Sequence, residues 1–148
     1  MQTVFIRHRP TMGEIRVKVQ LKNAADDSLW RRGKLAADQI HTFETDALVD
    51  TGAVRCVVPT QIVQRLGAEI RGQLSAEYAD GRTETVGMTE PIIFDIQGRD
   101  TADEALVLGD EVLIGQTVLA KLDLLADCAN QRVIPNPAHP DGPVSKVK

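Results

Sequence analysis

Hydrophobic and polar residues alternate cleanly between Gly13 and Asn23. Ile15, Val17, Val19 and Leu21 share one face, and Arg16, Lys18, Gln20 and Lys22 share the other. That period of two predicts a half-buried strand. Asp26 to Gly33 follows with capping residues at its start and a glycine at its end, which predicts a short helix. A second strand is expected over Phe43–Val49, ending at Asp50-Thr51-Gly52-Ala53, and a third at Val57-Val58. Pro59 suits the opening of a brief helix through Leu66, with Gly67 just past its end. Leu74 to Thr89 reads as strand, turn, strand, with Ala79-Asp80-Gly81-Arg82 at the tip, because Asp-Gly between alternating segments is a hairpin signal. Ile92–Ile96 and Glu104–Leu108 are expected to form a second hairpin turning near Gly98-Arg99-Asp100. Val112-Leu113-Ile114 is a buried strand ended by Gly115, Gln116–Leu122 a helix, and Leu124–Cys128 with Arg132–Ile134 a last hairpin. Many short strands separated by turn signals indicate an all-β, barrel-like domain. It is assigned residues 1–134, with an insertion at about 26–42. A proline-rich tail, 135–148, is expected to be extended or mobile.

Composition narrows the picture. The 148 residues fit one domain. Few aromatics mean that Val, Ile, Leu and Ala must build the core. A net charge of −4 argues against a general nucleic-acid binder. The residues from Met1 to Pro10 hold no long apolar run, and no stretch approaches the roughly 20 apolar residues of a membrane helix. The expectation is a cytoplasmic protein with Cys56 and Cys128 reduced, without membrane or nucleic-acid partners. Trp30 with Arg31, Arg32 and Lys34 admits two readings: a partner contact, or an insertion that packs Trp30 on the body and solvates its charges.

The informative segment is Ala47-Leu48-Val49-Asp50-Thr51-Gly52-Ala53. The strand calls for burial, yet a lone buried carboxylate is costly. Taken alone, Asp-Thr-Gly is also compatible with a solvated turn at a strand end.

With its surroundings, the segment resembles the active-site motif of the retropepsin-like aspartic proteases: apolar residues, then Asp-Thr-Gly-Ala. That family carries a second motif of two apolar residues and a glycine opening a helix. Here Leu113-Ile114-Gly115 precedes Gln116-Thr117-Val118-Leu119. The family places a flap hairpin between the two, where Asp80-Gly81 stands. The match in order and spacing runs from about Gly13 to Ile134. Val54-Arg55 and Gln116 occupy positions where viral members often carry an acidic residue and its arginine partner, which puts viral-type dimer contacts in question.

The resemblance implies a closed acid-protease barrel with one or two short helices, acting as a homodimeric endopeptidase on peptides between apolar residues. Asp50 is the implied catalytic carboxylate. Thr51 would hydrogen-bond across the dimer, and Gly52 would allow close backbone approach. Ala53 and Ile114 would line the cleft, and the tip Ala79, Asp80, Gly81 and Arg82 would close over the peptide. Tyr78 would either position that flap or serve as a plain strand aromatic. Hydrolysis by this route places two carboxylates about one water, sharing a proton. One Asp-Thr-Gly per chain therefore calls for a second copy. No cofactor or metal is required, and His8, His41 and His139 lack ligand spacing. The serines sit in no nucleophile motif, and Gly109 to Gly115 lacks a phosphate-loop ending. Cys56 reads as a small buried side chain or, alternatively, a redox handle. The rival to an enzyme is a dimeric binding module that keeps the fold but not the turnover.

Overall fold

The alternation after Gly13 is realised as strand β2, Ile15–Asn23, in the computed structural model, which describes residues 3–6 and 13–147. Its apolar residues are buried and its charged ones lie outward. β2 pairs antiparallel with β3, Thr42–Val49, placing Ile15 opposite Val49 and Lys22 opposite Thr42. On its other side it pairs with β7, Ile92–Ile96.

Between β2 and β3 lies helix α1, Ala24–Arg31, followed by a single 3-10 turn at Ala37–Gln39. The helix begins earlier than the Asp26 start expected, because Asn23 is the cap: its Oδ1 accepts the Asp26 N–H at 3.0 Å. The same side chain donates from Nδ2 to the Leu66 carbonyl at 2.8 Å. That carbonyl closes the last turn of α2, Thr60–Leu66, so one buried Asn joins two helix ends. Leu29 and Trp30 remain 40% and 44% exposed, so Trp30 is only partly covered and both of its readings stand. Adding α3, Gln116–Leu122, gives three short α-helices among the described residues, at the three places the sequence pattern indicated and one more than the resemblance implied at most.

Among the described residues, ten strands form one sheet. Besides β2, β3 and β7 these are β1, Thr3–Ile6; β4, Cys56–Val58; β5, Ile70–Tyr78; β6, Thr83–Thr89; β8, Arg99–Asp103; β9, Ala105–Val107; and β10, Leu113–Ile114. Their order is β1-β5-β6-β9-β4-β10-β3-β2-β7-β8. β1 and β8 stand at the two ends, so among the described residues the hydrogen-bonded ladder is open, not the closed barrel expected. A separate hairpin joins β11, Leu124–Asp127, to β12, Arg132–Pro135.

The second predicted hairpin is corrected. β7 turns through Gln97 and Gly98, both left-handed at φ 54° and 79°, and pairs with Arg99–Asp103 instead of Glu104–Leu108. Two successive positive-φ residues make the tight turn that matches strand twist. β9 instead crosses the sheet, pairing parallel with β4 and antiparallel with β6. Ala105 and Leu106 are both buried, as befits an interior strand covered on both faces.

The main core gathers Val19, Leu21, Val49, Phe94, Ile114, Leu119 and Leu122 with their neighbours. A smaller cluster of Val57, Leu74, Ala76, Val86 and Leu106 lies beneath the β5–β6 hairpin. The tail lacks regular structure past Pro135, yet it is pinned. Asp123 accepts from Asn136 Nδ2 at 3.0 Å and from the Val144 N–H at 3.1 Å, and its Oδ2 lies 2.6 Å from His139 Nδ1. The buried Arg99 donates to the carbonyls of Leu122, Asp123 and His139. No helix among the described residues is long and apolar enough to cross a membrane.

Candidate functional site

β3 ends in the buried run Ala47, Leu48 and Val49, and so delivers Asp50 to the interior. The chain then loops through residues 50–55 and returns as β4. β10 is wedged between these two strands, parallel to β3 and antiparallel to β4. Two backbone bonds hold the junction: Leu48 N–H to the Val112 carbonyl at 3.0 Å, and Asp50 N–H to the Ile114 carbonyl at 2.9 Å.

The start of α3 is fastened to the same loop. Gln116 N–H donates to the Ala53 carbonyl at 2.9 Å, and Thr117 N–H to the Val54 carbonyl at 3.0 Å. These amides have no partner within the helix, so the loop serves as its cap. Gly115 N–H reaches Cys56 Sγ at 3.3 Å. A Cβ on Gly115 would lie 2.5 Å from the Arg55 carbonyl oxygen and 3.0 Å from that of Ala53, so only glycine allows this approach. Within the loop, Ala53 N–H closes on the Asp50 carbonyl at 3.1 Å. Gly52 N–H donates to Asp50 Oδ1 at 2.9 Å and fixes the carboxylate rotamer.

Asp50 is only 1% exposed, Thr51 and Gly52 are half-buried, and Val54 stands out at 52%. The structure therefore brings together Asp50, Thr51, Gly52 and Ala53 with the backbone of Ile114. Of the two expected cleft residues, Ala53 is buried in the single chain and Ile114 is fully buried in its main core. Cys56 is buried too, and burial pushes its thiol up to about 12. A thiol so hard to ionise is a packing residue and not a redox handle. Both cysteines are free, with Cys128 exposed.

The hairpin tip is organised separately. Ala79, Asp80, Gly81 and Arg82 are all exposed. Tyr78 N–H donates to the Arg82 carbonyl, and Gly81, at φ 88°, donates back to the Tyr78 carbonyl. Asp80 accepts the Arg82 N–H at 3.0 Å and its Nε at 2.8 Å, and these bonds hold the carboxyl below its ordinary range. The Arg82 guanidinium lies 4.9 Å from the centre of the Tyr78 ring, whose hydroxyl donates to Glu84 Oε1 at 3.0 Å. Tyr78 thus braces the foot of the tip. Its hydroxyl is pushed above its usual value, first by burial and then by Glu84.

The tip and the Asp50 loop are linked through β6, β9 and β4, and by Arg55 Nη1 lying 3.9 Å from Met88 Sδ. Sequence reasoning left out this Arg55 contact and the steric demand at Gly115. The second was signalled by a glycine set between an apolar pair and a helix. Among the described residues, no three His, Cys, Asp or Glu side chains gather as a metal ion would need. His8 lies outside the described residues. No family model matches the chain, and no curated protein matches it.

Proposed function

We propose that the chain is an aspartic endopeptidase of the retropepsin-like kind, with the Asp50 carboxylates of two copies meeting at a two-fold axis. One observation carries the reading: an Asp-Thr-Gly loop whose ends are clamped by an inserted strand, with Gly115 seated on the loop's own carbonyls. Such bracing holds a carboxylate in one orientation, as acid–base chemistry demands. The ionised member of the pair takes a proton from water as the water attacks the peptide carbonyl. The protonated member donates to the carbonyl oxygen, and no covalent intermediate forms.

Thr51, Gly52 and the exposed Val54 form the outward side of the loop, where the second copy would sit. Because Asp50 is 1% exposed, the loop must part from its cover before water and the second carboxylate reach it. The exposed tip at 79–82 would then close over an extended peptide.

The burial of Asp50 and Ile114 also favours a second reading, a dimeric binding module in which Asp50 merely holds the loop. Incubation with a diverse peptide library separates the two, with wild type beside Asp50→Asn and products read by mass spectrometry. An enzyme yields cleavage that the variant lacks while both proteins stay folded. A binding module yields no cleavage from either.

A further inference from the structure

At the far end of the sheet, β1 runs parallel to β5, with Thr3 opposite Ser75, Val4 opposite Ala76, Phe5 opposite Glu77 and Ile6 opposite Tyr78. Among the described residues, β1 has no other partner in the sheet. The pairing ends at Tyr78, the residue that closes the exposed tip. The other side of β5 is taken by β6. Without β1, the segment Ser75–Tyr78 would present a row of open backbone donors and acceptors right beside the tip, an edge ready to pair with any extended chain. A parallel pairing is slightly weaker per residue than an antiparallel one and normally lies inside a covered sheet. Here it is four residues long and lies at the edge of the sheet, so it is suited to exchange.

We propose that the outer edge of β5 is a strand-acceptor site for extended peptide segments, and that Thr3–Ile6 is its resident occupant. Recognition is through the main chain, as in other strand additions. β9 reaches β6 only at Gly87 and Met88, so towards its tip the β5–β6 hairpin is two-stranded. Such a hairpin is marginal by itself, and a third strand stiffens it. The resident segment therefore restrains the hairpin, and its release frees the tip to move. That last consequence rests on the proteolytic reading of the hairpin as a flap; the acceptor edge itself does not.

The test uses the full chain carrying Val4→Pro and Phe5→Pro together. Successive residues of a strand point their N–H groups to opposite sides, so one of two adjacent prolines must delete a bond to β5. Hydrogen exchange at Ser75–Tyr78 is expected to quicken by about tenfold or more, with β2–β3 amides unchanged as the control for folding. A synthetic peptide of residues 1–7, added in excess, should restore the protection saturably. With a photo-crosslinker in place of Phe5, the same peptide should attach to β5 of the proline variant. Unchanged exchange at Ser75–Tyr78, or a peptide that neither protects nor crosslinks there, overturns the proposal. Peptide hydrolysis is followed in parallel: it should rise in the proline variant and fall when the peptide is added. Exchange that shifts while turnover stays constant would overturn the restraint. Exchange that shifts with no hydrolysis by any chain would sink the protease reading and leave the acceptor edge standing.

Discussion

Gly115 rests its α-carbon against the main chain of Arg55, so that a methyl group there would lie 2.5 Å from the carbonyl oxygen and 2.6 Å from the carbonyl carbon. The contact joins the two halves of the candidate site, because Arg55 closes the Asp50 loop and Gly115 opens α3. Gly115 has φ −98°, which any residue adopts, so its requirement is space and not backbone freedom.

Gly115→Ala should therefore force backbone apart. Overpacking of this kind costs about 1–3 kcal/mol, and the midpoint of urea unfolding should fall accordingly. A midpoint equal to wild type would mean that the loop yields freely and that the clamp on Asp50 is not rigid.

The two cysteines should separate cleanly by reactivity. A thiol titrating at about 12 is ionised to roughly one part in 10^5 at pH 7, and Cys56 is also shielded from reagent. Brief treatment of the folded protein with iodoacetamide should label Cys128 alone, as read by mass spectrometry. Comparable labelling of Cys56 would show that the Asp50 loop opens readily in the isolated chain.

Acid should undock the tail. The Asp123 carboxyl is held below its ordinary 3.8, first by the Asn136 amide and further by the Val144 N–H and His139. A carboxyl whose folded value is depressed contributes stability that is present above the unfolded value and lost as pH falls through the folded one. The Val144 amide should stay protected at neutral pH and lose protection in acid below about 3.8. Asp123→Ala should lose that protection throughout. Matching protection in both proteins across the range would remove the latch.

Much of this arrangement was legible because it is local. The alternation of Ile15, Val17, Val19 and Leu21 marks β2, Pro59 and Gly67 bracket α2, and Asp80-Gly81 marks the hairpin tip. The Asp50 loop was legible for the same reason, as an acid and a glycine closing an apolar strand. What failed depends on distant partners. β1 is four residues whose pairing with Ser75–Tyr78 no local pattern announces. The β7 turn uses Gln97, a residue with little intrinsic preference for positive φ, and so concealed the true partner strand. The burial of Ile114 was expected, but the place of β10 between β3 and β4 is a pairing that periodicity cannot reveal. The tail is held by Asp123 and Arg99, both far from it in sequence or placed by helix and turn geometry.

Thr51→Ala should weaken self-association more than the subunit fold, since the proposed bond crosses between copies. A lost hydrogen bond costs about 0.5–1.5 kcal/mol, and two-fold symmetry counts it twice. Sedimentation over a range of concentrations should show a raised dissociation constant, with a proportionately smaller change in the stability of the subunit. An unchanged dissociation constant would remove Thr51 from the interface.

The most direct measurement is peptide cleavage by wild type and Asp50→Asn, side by side, with a unfolding curve recorded for each. An amide at position 50 can still accept the Gly52 N–H but cannot take a proton from water. The account predicts defined cleavage sites between apolar residues with wild type, none with the variant, and closely similar unfolding midpoints. Cleavage by the variant at the wild-type rate, or no cleavage by wild type at any protein concentration, would contradict it.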